Sequence, residues 1–196
     1  MKKIGITGTI GAGKSTVSIL LRRRGKPVFD CDQYSRILYQ KTNPCYAKMV
    51  EAFSEDILDE FGEIDRKKVA ALVFNDEEKR KTLNILTHTP VVAAMKKFFE
   101  NHEKDGLVFA EVPLLVESGL SDYFDEVILV TCEDETAIQR MMEDRDYTRE
   151  EAERRLRSQI PVEEQKKHAT LVMDNNGTIK ELDQKIARLL KDLEKK

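Results

Sequence analysis

The stretch Gly8-Thr9-Ile10-Gly11-Ala12-Gly13-Lys14-Ser15 fits G-x-x-x-x-G-K-[ST] without a gap. Its glycines let successive backbone N–H groups turn inward around an anion, in a nest that side chains would obstruct. Just upstream, Ile4 and Ile6 belong to a short apolar segment that stops at glycine, the signature of a buried strand. Downstream, Val17, Leu20 and Leu21 keep helical spacing, Arg22 to Arg24 supply a cationic last turn, and Gly25 marks the stop. Strand, glycine loop and helix in that order aim the positive helix end at the loop. The pattern predicts that nucleotide phosphates rest on the amides of Gly11, Ala12, Gly13, Lys14, Ser15 and Thr16. Lys14 would reach the β- and γ-phosphates, and the Ser15 hydroxyl would ligate Mg²⁺. A glycine-rich turn with an incidental lysine would not need this flanking order.

Four more short apolar runs follow: Pro27-Val28-Phe29-Asp30, Leu107 to Glu111, Val127 to Thr131, and Leu171-Val172-Met173 before the turn Asp174-Asn175-Asn176-Gly177. Five such strands separated by helical segments predict an α/β fold with a five-stranded parallel sheet. The spacing is uneven. A core of residues 1–30, 105–133 and 168–196 is expected to carry one helical insert at 31–104 and a second at 134–167. In the first insert Leu83, Leu86, Val91, Met95, Phe98 and Phe99 form a helical stripe, with Pro90 expected to kink or break it. Ile179, Leu182, Ile186, Leu189 and Leu190 give a closing amphipathic helix.

Composition narrows the function. The 196 residues are 40% hydrophobic and 35% charged, with a net charge of −3, a soluble globular profile. That balance speaks against a broadly basic binder of nucleic acid or anionic membrane. Cys31, Cys45 and Cys132 form an odd set without a C-x-x-C pair, so neither a disulfide framework nor a zinc site is expected. The apolar run at the start is too short for a secretory signal, and no stretch approaches a membrane span. A cytoplasmic location is expected.

Phosphate loops serve kinases, switches and motors alike. A guanine switch would carry Asn-Lys-x-Asp, which is absent here, and the chain is short for a motor. Two helical inserts suit a small-molecule kinase, one holding the acceptor and the other covering the phosphates and excluding water. A kinase of a nucleoside monophosphate or shikimate, and a non-catalytic nucleotide switch, are the alternatives. The acceptor needs a base. Asp30-Cys31-Asp32 follows the second strand, at the sheet end where open α/β folds bind ligands. A carboxylate there would accept a hydroxyl proton, or would serve as a helix N-cap, or both. Six arginines (Arg140, Arg145, Arg149, Arg154, Arg155 and Arg157) crowd into 140–157. Residues 139–167 hold eight basic and eight acidic side chains, so most are expected in a solvated, ion-paired helix pair, with one or two facing phosphates.

Over nearly its whole length the chain resembles the dephospho-coenzyme A kinases. Ile4 to Thr16 is similar to that family's phosphate loop, and Asp30-Cys31-Asp32 with Arg36 to its Asp-Ala-Asp-x-x-x-Arg segment. Val112-Pro113-Leu114-Leu115-Val116-Glu117 resembles its Pro-Leu-Leu-x-Glu signature. Gln139-Arg140, Arg145-Asp146 and Arg155-Leu156-Arg157-Ser158-Gln159 follow its lid pattern, and Ala169 with Asp174-Asn175-Asn176-Gly177 its closing stretch. The resemblance implies ATP and Mg²⁺ as cofactors and the ribose 3′-hydroxyl of dephospho-coenzyme A as acceptor. It implies Asp32 as base, with Lys14 and Arg140 stabilising the transferring phosphoryl and Asn175 near adenine. Asp32, Arg36, His88, Pro113, Leu114 and Leu115 would line the acceptor. Glu111 stands where the family usually has aspartate, and Thr89 separates His88 from Pro90 where the family has His-Pro.

Overall fold

Buried on both faces, the central strands of a parallel sheet read as continuous apolar runs, because helices cover each side. In the computed structural model, which describes residues 1–74 and 76–195, those runs become β1 (Lys2–Gly8), β2 (Val28–Asp30), β3 (Leu107–Glu111), β4 (Glu126–Thr131) and β5 (Leu171–Asp174). All are parallel, in the order β2-β3-β1-β4-β5. The five-stranded parallel sheet expected from the sequence is therefore present. All five residues of β3 are buried, whereas the edge strand β5 leaves Val172 52% exposed. Ile6 and Asp30 both stand opposite Glu111, so the carboxyl ends of β1, β2 and β3 lie level.

The chain divides into two units, one of Met1–Asp30 with Phe99–Lys196, and one of Cys31–Phe98. In the first, Ile4, Ile6, Phe109, Ile128 and Val130 from the sheet pack with Val17, Leu20 and Leu21 of α1 (Lys14–Arg23). Leu182, Ile186, Leu190 and Leu193 of the last helix, Ile179–Lys195, join the same core. Their three- and four-residue steps put one stripe of that helix inward. Burying each such side chain contributes roughly 1.5–3 kcal/mol, an upper bound because the unfolded chain already hides some surface. After Leu21 the Gly25 N–H donates to Arg22 O and the Lys26 N–H to Leu21 O, closing α1 where the sequence predicts it.

The second unit contains α2 (Cys31–Ile37), α3 (Pro44–Phe53), α4 (Arg66–Phe74) and most of α5 (Glu77–Asn101). Met49, Phe53, Ile57, Ile64 and Val69 are buried there. Asn43 caps α3 by accepting from the Cys45 N–H at 2.9 Å, with Pro44 at the first helical position. Of the kink or break expected at Pro90, the break does not occur. α5 runs through it as one helix, and Val91 and Met95, buried one turn apart just beyond, anchor the continuing stretch.

Between β4 and β5 the first unit carries α6 (Asp134–Arg145), α7 (Arg149–Arg157) and α8 (Val162–Lys166), and Ile179–Lys195 is α9. Ala137, Ile138, Met141 and Ala152 form a small apolar cluster between α6 and α7, with Ile10, Tyr147 and Leu156 against it. Thr148 caps α7 by accepting from the Glu151 N–H at 3.2 Å. No helix among the described residues is long and apolar enough to cross a membrane.

Candidate nucleotide site

The loop leaves the carboxyl end of β1, in the middle of the sheet, and runs straight into α1. Gly13, the residue before α1, sits at φ 93° and gives that helix no side-chain cap. The first N–H groups of α1 therefore face outward uncapped, with the positive end of the helix behind them, an anion-binding geometry. Gly11 is left-handed too, at φ 77°, and a Cβ there would fall 2.6 Å from Ala137 O. The Lys14 ammonium folds back onto the loop's own carbonyls, donating to Gly8 O at 2.8 Å and Thr9 O at 2.9 Å. It is thus held beside the anion site.

Next to the loop, Ser15 Oγ donates to Glu111 Oε1 at 3.1 Å. Glu111 is 4% exposed, and its Oε2 has no hydrogen-bond partner among the described residues. Neither has the buried hydroxyl of Ser18, which lies close enough to favour the carboxylate's charge without a hydrogen bond of good geometry. Burial pushes the Glu111 carboxyl up from its ordinary range. The charge of Asp30 on the neighbouring strand adds to this, and Ser15 and Lys14 oppose it. Arg22 lies 4.0 Å from Asp30. A buried carboxylate with one satisfied and one unsatisfied oxygen is costly in isolation and suited to a cation.

From the other side, Asn175 and Arg140 brace the loop. Asn175 is 6% exposed, and its side-chain Nδ2 donates to Ala12 O at 2.8 Å while its backbone N–H donates to Thr131 O at 2.7 Å. Arg140, half-buried on α6, donates to Asn175 O at 2.9 Å and to Gly11 O at 3.4 Å. Among the described residues no carboxylate pairs with it, nor with Arg145 or Arg154, whereas the other three arginines of the group are ion-paired. Arg149 pairs with Glu135 and Glu153, Arg155 with Glu151, and Arg157 with Glu153. Half of the six arginines are therefore ion-paired, and among the described residues Arg140 is the one of the six whose hydrogen bonds reach the phosphate loop.

A sequence profile of the family described as Dephospho-CoA kinase matches residues 2–181. The chain belongs to the dephospho-CoA kinase family. A dephospho-CoA kinase of Aquifex aeolicus is 40% identical over 193 residues, covering 98% of both chains. Among solved structures, a Thermus thermophilus protein superposes with a TM-score of 0.85 at 35% identity, covering 98% of this chain and 97% of its own. The dephospho-CoA kinase of Campylobacter jejuni gives 0.72 at 26% identity, with the same coverage. This kinase transfers phosphate from ATP to dephospho-CoA, so the switch and other-acceptor alternatives fall away.

The kinase's remaining predicted residues are distributed unevenly. Lys14, Ser15, Glu111, Arg140 and Asn175 meet around the loop. Asp32, Arg36 and His88 belong to the Cys31–Phe98 unit, where all three are exposed, Asp32 in the first turn of α2 and Arg36 in its last. Of the segment after β3, Pro113 O accepts from Thr7 Oγ1 at 3.4 Å, Leu114 is 54% exposed, and Leu115 has no exposed surface. Leu114 is thus the only one of the two leucines presented to solvent. Ser18 escaped the sequence reading, although it follows Ser15 by three residues on α1, a spacing that brings both hydroxyls to one helix face.

Proposed function

We propose that the kinase binds ATP phosphates on the amides of Gly11 to Thr16 and passes the γ-phosphoryl group to the ribose 3′-hydroxyl of dephospho-CoA, with Asp32 as base. The observation that carries this reading is the hydrogen bond from Ser15 to the buried Glu111 carboxylate beside an uncapped helix start: donors for the anion on one side, an incompletely satisfied carboxylate on the other. Those two side chains fit Mg²⁺, since a nucleotide-borne Mg²⁺ takes one or two protein oxygens and fills its shell with phosphate and water. When bound, Mg²⁺ neutralises developing phosphate charge. The glutamate in place of aspartate keeps its carboxylate within reach of Ser15.

In this reading Lys14 exchanges the Gly8 and Thr9 carbonyls for phosphate oxygens without travelling far. Arg140, lacking a carboxylate partner, is available to transferring charge while its second contact holds the loop. Asp32 accepts the proton of the attacking hydroxyl, and Arg36, His88, Pro113 and Leu114 contact the acceptor. Asn175 acts mainly on the loop, because its Nδ2 is committed to Ala12 O, so a contact with adenine would come from its other atoms or from its neighbours. The segment 134–167 serves as the lid, and 31–104 receives the acceptor. The cytoplasm is the expected location.

The test is ADP release by the purified chain with ATP and Mg²⁺, with dephospho-CoA, a nucleoside monophosphate or shikimate added in turn. Release that depends on dephospho-CoA alone, with the product phosphorylated at the 3′ position, is expected. Release independent of dephospho-CoA, or phosphate found at another hydroxyl, would overturn the assignment.

A further inference from the structure

Among the described residues, the connection between α7 and α8 makes one side-chain hydrogen bond to the phosphate loop. Gln159 Oε1 accepts a hydrogen bond from the Ile10 N–H at 2.7 Å, across 149 residues of sequence. Two peptides along, Gly11 O accepts from Arg140 at 3.4 Å and faces the Cys132 thiol at 3.9 Å. The Ile10 side chain packs against the apolar cluster of α6 and α7. Residues Ile10 and Gly11 are thus held on either side of the peptide they share, at the Ile10 N–H and the Gly11 carbonyl, by the segment between β4 and β5. We propose that Gln159 is a positioning residue for ATP: by holding the Ile10 N–H, it fixes the point from which the anion-binding amides begin.

The chemistry favours this role over a surface contact. An N–H at the mouth of a phosphate loop has two possible acceptors, the ligand or the protein. Gln159 ties this one off, so Ile10 does not compete for phosphate and Gly11 is held in the left-handed turn that directs the following amides inward. The neutral amide is the suitable acceptor here. A carboxylate in its place would accept the same hydrogen bond but set a negative charge beside a polyphosphate. Preorganising the loop before the nucleotide arrives lowers the ordering cost of binding, which would appear in ATP affinity rather than in acceptor affinity.

This inference rests on the reading that the loop holds ATP. The experiment compares wild type with Gln159→Met, which keeps the volume but removes the acceptor, and Gln159→Glu, which restores it. Hydrogen exchange at the Ile10 amide in the nucleotide-free protein, the KM values for ATP and dephospho-CoA, and thermal stability are measured for each. Gln159→Met is expected to speed Ile10 exchange about tenfold and raise the ATP KM about fivefold, as the loss of one hydrogen bond predicts. The dephospho-CoA KM and the melting temperature should stay near wild type. Gln159→Glu should recover the Ile10 protection without recovering the ATP KM. Unchanged Ile10 exchange in Gln159→Met, an unchanged ATP KM, or an equal rise in both KM values would each overturn the assignment. The exchange readout needs no nucleotide, so failure of wild type itself to bind ATP would sink the loop reading separately.

Discussion

Ser15 and Glu111 stand 96 residues apart in sequence, yet the hydroxyl of one donates to the carboxylate of the other at 3.1 Å. The contact joins the first turn of α1 to the last residue of β3, and the parallel register places it at the carboxyl end of the sheet. Because the second carboxylate oxygen is buried without a hydrogen-bond partner, removing its charge should damage catalysis more than folding. Glu111→Gln is expected to lower kcat about 10²- to 10³-fold, the usual loss when one charge-stabilising group is removed, and to shift the Mg²⁺ dependence of the rate to higher concentration. Steady-state kinetics across a Mg²⁺ titration check this; a kcat within twofold of wild type would remove Glu111 from the cation site.

The same residue gives a pH signature with the opposite sign for stability. Burial raises the folded carboxyl above its unfolded value, so the protonated form favours the native state. The stability it contributes is present at low pH and is lost as pH rises through the folded value. In nucleotide-free, Mg²⁺-free protein, Glu111→Gln should therefore melt a few degrees above wild type near pH 8. The gap should shrink as pH falls toward the ordinary glutamate value of about 4.3. A melting difference that stays constant across this range would mean that the carboxyl is not destabilised by burial.

Gly13 and Asn175 form a second linked pair. A Cβ on Gly13 would lie 2.3 Å from Asn175 Nδ2, at a φ of 93° that side chains rarely adopt. Gly13→Ala should thus strain the backbone and push the Asn175 amide off Ala12 O, abolishing measurable ATP binding by titration calorimetry. Asn175→Ala removes the brace without that strain. It should cost about 1–3 kcal/mol and lower the melting point by several degrees, while ATP binding weakens but survives. Equal loss of ATP binding in the two variants would contradict the division between strain and bracing.

Much of this was legible in the chain itself, for identifiable reasons. The loop and its flanking strand and helix are local, so residues 4–25 encode them by spacing alone. The strands around Phe109 and Leu129 announce themselves because both faces are buried and no polar residue interrupts them. Pro90 does not end its helix because its local penalty is set against tertiary burial of Val91 and Met95, which no window around it reveals. The bracing of the loop by Asn175 was equally out of reach. The Asp-Asn-Asn-Gly segment reads as a turn, and its link to Ala12 spans 163 residues and depends on β4 and β5 being neighbours. Arg140 is separable from the other arginines only by its hydrogen bonds to Gly11 O and Asn175 O, which join residues far apart in the chain.

Asp32 carries the last prediction, because its position serves two explanations that one substitution separates. It lies in the first turn of α2, where a carboxylate interacts favourably with the helix dipole, and it directly follows the strand end that carries Asp30. As a structural group near a helix start, it is replaceable by asparagine, which keeps the side-chain oxygen that accepts from backbone N–H groups. As a base it is not, because the amide oxygen cannot take a proton from an attacking hydroxyl at neutral pH. Asp32→Asn should therefore cut kcat about 10²- to 10³-fold while leaving the ATP KM and the melting temperature near wild type. Asp32→Ala should add a modest stability loss, on the order of 0.5–1 kcal/mol, to the same fall in kcat. If Asp32→Asn turned over dephospho-CoA at the wild-type rate and only Asp32→Ala were impaired, the residue would be a helix-stabilising group, and the proton acceptor would have to be sought among the other carboxylates at the sheet's carboxyl end.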